Sequence, residues 1–231
     1  VALRFQKYAL ISAAVVDPSG RLVGMITVDD IVHIISEEAG EDALLLSGAG
    51  EGDINEPVID SYKGRVRWLL TNLLTALVAA TIISLFEGTI QKMVALAALM
   101  PIVAGVGGNA GTQTMAVTVR ALATNQLTQS NTLRAIQREI SIALLNGVTV
   151  ALVIGTAVGL FYHHAALGGV IAAAMMTNIF IAGLAGVVVP VTLDRLNADP
   201  AVASSIFVTM TTDSMGFLAF LGLASASGLV G

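Results

Sequence analysis

Cysteine is absent from the 231 residues, so the chain holds no disulfide and no thiolate metal site. Charge is scarce, at 12% of residues, where an ordinary soluble domain carries roughly a quarter. Aromatic residues make up 5%, with one tryptophan, and acids outnumber bases, which gives no support to nucleic-acid binding. The three histidines are His33, His163 and His164, none of them inside a predicted span, which argues against an imidazole site for Zn²⁺ or Cu⁺ at membrane depth. Enzyme chemistry finds no footing: there is no paired acid–base set, activated nucleophile or phosphate-cradling glycine loop. The opening residues do not have the pattern of a secretory signal peptide.

What the chain does have is apolar length. Mean hydropathy is +0.85, and the uncharged runs are those of a polytopic membrane protein. Trp68 to Phe86 crosses a bilayer of ~30 Å at ~1.5 Å per residue, with Trp68 at an interface. A second span covers Met93 to Val119. The uncharged stretch from Ile140 to Leu193 is too long for one span, and Phe161-Tyr162-His163-His164 divides it into spans near Ile140–Phe161 and Gly168–Val191. A fifth runs over Val202–Leu223. Lys63, Arg65 and Arg67 precede the first span, and Arg120, Arg134 and Arg138 fall between the second and third. The heavier basic counts on alternate loops place the amino-terminal side in the cytoplasm and, after five spans, the carboxyl terminus outside.

Two features inside the spans point to an ion path. Gly105-Val106-Gly107-Gly108-Asn109-Ala110-Gly111-Thr112-Gln113 combines glycines, which weaken a helix, with two amides four residues apart and so on one helical face. Polar amides at membrane depth are costly unless they are partnered or wet. Asp213 reads as the only acid in the interior of any span, and no span holds a base to pair with it. An ionisable group there is a functional site by default, against the plainer reading of a protonated structural aspartate. Thr209, Thr211, Thr212 and Ser214 are expected to add oxygens to a wet lining around it. One carboxylate among amide, hydroxyl and carbonyl oxygens suits a hard cation. Mg²⁺ sheds its waters reluctantly, and neutral oxygens from Asn109, Thr209 and Gly108 could hold that shell. Two copies of Asp213 across a homodimer axis would match a dication. Asn178, in mid-span, reads as an interhelical hydrogen bond, and Gly183 and Gly186 as close-packing positions.

The first 60 residues differ from the rest: eleven acids and three bases give a net of −8. Ser12–Val16 and Leu22–Ile26 read as strands joined by the Asp17-Pro18-Ser19-Gly20 turn. Thr27 and Asp30 open a helix in the positions of a capping box. Asp29, Asp30, Glu37, Glu38, Glu41 and Asp42 offer hard oxygens for Mg²⁺ or Ca²⁺, or simply a solvated acidic face. Leu44 to Asp60 reads as a connector.

The run VVDPSGRLVGMITVDDIVHIISEE, with Gly24, Thr27 and Asp30 at the family's spacing, resembles the closing half of a CBS domain. That resemblance implies nucleotide contact by Thr27 and Asp30, with ATP as a ligand of the complete CBS pair, and the first half of the module is expected to be missing. The run PIVAGVGGNAGTQT, with ALAT after it, the Asp199-Pro200-Ala201 loop and Thr212-Asp213 resemble the MgtE-type magnesium transporters. The resemblance covers essentially Val1 to Gly231. It implies a homodimeric, Mg²⁺-selective, channel-like protein of the cell membrane that takes up Mg²⁺ passively, with a pore lined mainly by the second and fifth spans. Its implied metal residues are Asp213, Asn109, Gly108 and Thr209 in the pore. Asp29, Asp30, Glu37, Glu38, Glu41 and Asp42 match the cytosolic region that binds Mg²⁺ and closes it. His33 departs from the family, which often has an acid there.

The expected architecture is therefore an all-α membrane domain of five transmembrane helices behind a partial α/β CBS module. Its expected divisions are residues 1–43 for the module, 44–67 for a connecting plug-like segment and 68–231 for the pore domain. The alternatives are a CBS-regulated transporter of another divalent cation such as Co²⁺ or Mn²⁺, a CBS-regulated anion transporter and a membrane sensor that transports nothing. A carboxylate at the midplane argues against the last two.

Overall fold

A computed structural model describes residues 1–46, 55, 57–127 and 130–229, apart from the side chains of 38–39 and 41–43. The amino-terminal unit is small. Helix α1 (Ala2–Tyr8) ends on Ala9 in the left-handed region and leads into the antiparallel pair β1 (Ser12–Val16) and β2 (Leu22–Thr27). The turn between them forms because one aspartate supplies its acceptors: Asp17 Oδ1 takes Ser19 N at 2.9 Å, Ser19 Oγ at 2.6 Å and Arg21 N at 2.9 Å. Gly20 has the positive φ of 81° that this turn requires. Helix α2 (Val28–Leu46) follows, and Ile31 and Phe5 are the buried apolar residues of the unit. The predicted strand pair and helix are all present, with β2 one residue longer than expected.

Among the described residues, the membrane body holds five helices long and apolar enough to cross a bilayer: α3 (Val58–Leu85), α5 (Ala95–Ala123), α6 (Thr132–Phe161), α7 (Ala165–Arg195) and α8 (Pro200–Ala226). A short α4 (Glu87–Lys92) sits in the expected turn between the first two spans. Each long helix exceeds its predicted span, because polar turns outside the hydrocarbon continue the same hydrogen-bond ladder. The predicted connector 44–67 is divided accordingly. Residues 47–54 and 56 lie outside the described residues, α2 runs through Leu46, and Val58 onward is already α3.

Helix α7 is the axis of the body. Leu167, Ile171, Ala174, Met175, Ile179 and Ala182 are almost wholly buried against α5, α6 and α8. Small residues allow this, since lipid offers no hydrophobic drive between helices and close van der Waals approach has to supply it. A Cβ on Gly183 would lie 2.7 Å from Ala143 Cβ, and one on Gly186 would lie 2.7 Å from Thr114 Cβ. Both glycines are close-packing positions, as expected. Helix α3 packs mainly on α8 and leaves Leu69, Leu70, Leu73 and Leu74 exposed. Helix α8 starts on an N-cap: Asp199 Oδ1 accepts from Ala201 N at 2.8 Å with Pro200 at the first helical position. Leu45 and Leu46, at the end of α2, pack on Met115, Val119, Ala201 and Val208, so the amino-terminal unit rests on the α5–α8 end of the body.

Candidate cation site in the membrane body

The glycine-rich stretch does not break α5; the helix runs unbroken through it and through Pro101. Its glycines are used instead for contact. A Cβ on Gly111 would lie 2.7 Å from Val208 Cγ1 and 3.3 Å from Thr212 Cγ2, and one on Gly108 would lie 4.0 Å from Thr212 Oγ1. These positions set α5 directly against α8. Gly107 and Gly216 face a third element. The carboxamide of Asn178, from α7, occupies the space that a Cβ at Gly107 would need, and its Nδ2 is 2.6 Å from the Cβ position of Gly216. Asn178 is fully buried and donates from Nδ2 to the Val103 carbonyl at 2.9 Å, an interhelical hydrogen bond as the sequence suggested. Its Oδ1 has no partner among the described residues.

Asp213 follows Thr212 on α8, thirteen residues past Pro200 or ~20 Å along the axis, which is mid-helix. The carboxylate is half-buried, and among the described residues it has neither a hydrogen bond nor a cationic partner. Thr209 lies one turn earlier on the same face and is also half-buried. Asn109, Thr112 and Gln113 stand on the open face of α5, beside the Gly108–Thr212 contact. No direct bond joins Asn109 to Asp213. The Gly108 carbonyl accepts the Thr112 hydroxyl at 2.8 Å.

The expected ring of hydroxyls around Asp213 needs correction. Thr212 is fully buried and donates to Thr209 O at 3.0 Å, Ser214 is buried, and Thr211 donates to Phe207 O at 2.8 Å. Consecutive helical residues are ~100° apart, so four neighbours cannot share one wet face. Thr209 alone shares the face of Asp213.

A second correction concerns acid at depth. Asp213 is not the only membrane-helix carboxylate, because α6 begins at Thr132 and encloses Glu139, which is 8% exposed. Thr114 Oγ1 donates to Glu139 Oε2 at 3.4 Å, and the neighbouring Arg138 pairs with Oε1. The signal was present in the sequence. Glu139, Ala143, Gly147 and Ala151 recur every four residues, and all four are buried. Extending that stripe one turn back from Ala143 would have put Glu139 on the packed face.

In the amino-terminal unit, Thr27 and Asp30 bond to each other. Thr27 N and Oγ1 donate to Asp30 Oδ2 at 2.8 and 2.7 Å, the capping-box arrangement. The Thr27 hydroxyl, then its backbone N–H and nearby His33, hold the Asp30 carboxyl below its ordinary range. Asp29 and Glu37 lie on the same helix, exposed, and the side chains of Glu38, Glu41 and Asp42 lie outside the described residues. Among the described residues no group of three acids or histidines is spaced to hold a metal ion.

Comparison with known proteins comes to the same regions. Residues 100–223 match the family model of the MgtE divalent cation transporters, and residues 1–37 match that of the CBS domain. The chain is 36% identical over 225 residues to the magnesium transporter MgtE of Enterococcus faecalis, covering 97% of this chain and 50% of that protein. It is 33% identical over 229 residues to the magnesium transporter MgtE of Bacillus subtilis, at 98% and 50% coverage. The magnesium transporter MgtE of Thermus thermophilus is 34% identical over 229 residues, at 97% and 50%. The chain spans about half the length of the curated relatives it matches.

Proposed function

This chain belongs to the MgtE family of divalent cation transporters, and from that premise we propose that its membrane body conducts hydrated Mg²⁺ passively into the cell. The observation that carries the proposal is the state of Asp213: a carboxylate at mid-helix, half open, and answered by no base or hydrogen bond among the described residues. Such a group has to be met by a mobile cation or by water, since neither lipid nor the protein compensates it. Asn109, Thr209 and Gly108 contribute oxygens or close approach beside it. Mg²⁺ keeps several waters when bound, so carboxylate and amide contacts run through its shell. Binding through water also leaves the ion free to move on, as conduction requires.

One carboxylate supplies half the charge of the ion. A homodimer with its axis beside the open faces of α5 and α8 would bring two Asp213 side chains to one path. The module (1–43) and connector (44–67) act on this pore from the cytoplasm. Leu45 and Leu46 rest on α5 and α8, so movement of α2 reaches the helices that carry Asn109 and Asp213. Mg²⁺ held by Asp29, Asp30, Glu37, Glu38, Glu41 and Asp42 would relieve repulsion in a unit of net −8 and favour the closed arrangement. Thr27 and Asp30 are the nucleotide-contact candidates, with ATP binding to the complete CBS pair. The amino-terminal side is cytoplasmic and the carboxyl terminus outside.

The test is flux. In liposomes the full chain is expected to pass Mg²⁺ ahead of Mn²⁺, Co²⁺ and Ca²⁺, and Asp213→Asn to abolish that flux without loss of folded protein. Undiminished Mg²⁺ flux through Asp213→Asn removes the pore assignment. Preference for Co²⁺ or Mn²⁺ keeps the path and changes the cargo.

A further inference from the structure

A half-open cavity of about 170 Å³, lined by more apolar than polar surface, lies between α5, α6 and α7, away from the α5–α8 contact. Its chemistry comes from Gln113 and Thr114 of α5 and from Arg138, Glu139 and Asn146 of α6, with Gly183 of α7 leaving the room. The Gln113 and Asn146 amides are exposed at the mouth of this cavity and make no hydrogen bond among the described residues, although both belong to helices long and apolar enough to cross a membrane. Unanswered amides at that depth are costly unless water or an ion reaches them.

The ion pair at this cavity is lopsided. The Glu139 side chain is 9% exposed and that of Arg138 is 64% exposed. Adjacent residues on a helix do not face each other. Arg138 therefore reaches back from the surface to cover a carboxylate that belongs to the interior. Burying the carboxylate while its partner stays in water carries a desolvation cost that a surface pair avoids.

Position along the helices gives the cavity a direction. Glu139 is seven residues into α6, ~10 Å, and Gln113 is ten residues from the end of α5, ~15 Å. These are neighbouring helix ends. Asn109 lies a turn beyond Gln113 on the same open face, at about the depth of Asp213. Gln113 of the cavity and Asn109 thus follow one another along one face of α5, from the helix end toward the depth of Asp213.

We infer that this cavity is a second cation station, in which Glu139, Gln113, Thr114 and Asn146 hold a partly hydrated divalent cation and Arg138 covers Glu139 when the ion is away. The donors are hard oxygens, as such a cation requires, and the cavity has room for several of its waters. The inference rests on reading the body as a cation path and adds a step to it.

The two residues of the pair separate this from a structural salt bridge. In a structural pair Arg138→Gln is the more costly change for stability, because it leaves the buried Glu139 carboxylate unpaired, whereas Glu139→Gln leaves Arg138 in solvent. A cation station loses its charged ligand in Glu139→Gln and its competitor in Arg138→Gln. Mn²⁺ is the probe, located by anomalous scattering from crystals of the full chain over a concentration series. Density in the cavity is expected for the wild type and for Asp213→Asn. In Glu139→Gln half-occupancy should need about tenfold more Mn²⁺ or worse, as when a metal site loses a carboxylate partner. In Arg138→Gln it should need about two- to fivefold less, the range of an exposed ion pair. A cavity empty in the wild type while Mn²⁺ sits at Asp213 overturns the inference and spares the pore reading. Equal weakening by both substitutions overturns it as well. Mn²⁺ in the cavity but never at Asp213 supports the station and removes the pore assignment.

Discussion

The amino-terminal unit and the membrane body share local side-chain hydrogen bonds, but only the body adds buried bonds between residues far apart in the chain. In the first, Asp17 bonds to Ser19 and Arg21, and Asp30 bonds to Thr27, so each partner lies within four residues and in solvent. In the second, Asn178 bonds to Val103 across 75 positions and Thr114 to Glu139 across 25, both buried. A local bond in water forms with its turn or cap and contributes modestly. A distant bond in a dry interior forms only when whole helices are already placed, and leaving it unmade exposes a buried dipole to nothing. Damage in the body should therefore be larger and more cooperative than damage in the amino-terminal unit.

The hardest blow to that contrast is steric. Gly107 and Gly216 have no side chain because Asn178 fills the space between them. Gly107→Leu would force α5 off α7, with an overpacking cost of about 1–3 kcal/mol or more. It is expected to yield little monodisperse protein in detergent, whereas Leu at Gly105, where nothing lies within 4 Å, should be tolerated. Equal behaviour of the two variants would mean that the wedge does not space the helices. Asn178→Ala should be milder, losing one interhelical hydrogen bond worth about 1 kcal/mol and relieving its own unpaired Oδ1. A lower unfolding midpoint in detergent with intact assembly is the expected reading.

Reach along the chain also decides what was legible in the sequence. The Asp17 turn, the strand pair, the Thr27–Asp30 cap and the five spans depend on neighbours or on uninterrupted apolar length, and all can be read directly. The helix–helix bond of Asn178 and the packing role of Gly183 and Gly186 followed from residue type. What could not be read was which face each residue turns to the bundle. Thr212 and Ser214 read from sequence as lining beside Asp213, and their burial depends on where α5 and α7 lie. Glu139 falls just outside the predicted span Ile140–Phe161 because Arg134 and Arg138 precede it, and charge on a short segment resembles a loop until the helix is seen to start at Thr132. Hydropathy finds spans but does not rank them: α3 and α7 are both long and apolar, yet 6% of one apolar window is buried in the chain and 61% of the other.

That disparity predicts a smaller effect. Leu70 and Leu74 of α3 point away from the rest of the chain, at 56% and 65% exposure. Leu70→Ala and Leu74→Ala should each change the stability of the isolated chain by less than about 0.5 kcal/mol, as surface substitutions do. Met175→Ala or Ile179→Ala in α7 should cost several times more, since both side chains are almost wholly enclosed and truncation leaves a cavity. Comparable thermal midpoints for the two pairs would show that α3 is as much a part of the core as α7.

The smallest effect belongs to Asp30, and its sign can be worked out. Hydrogen bonds from Thr27 favour the charged carboxylate, so its pKa in the folded unit lies below the ordinary 3.8. Its contribution to the first turn of α2 is then complete above the unfolded value and is lost as pH falls through the lower folded one. The group is fully exposed and its partners are local, so neutral pH and moderate acid should leave the cap untouched. Following the Thr27 amide by NMR from pH 6 to 2 should show one transition, centred below the usual aspartate range. Asp30→Asn should abolish it while α2 beyond the first turn stays helical. A midpoint at or above 3.8 would mean that Thr27 does not favour the charged form. Loss of helix along the whole of α2 would show that this local bond carries a distant load, and the contrast between the two regions would fail at its weaker end.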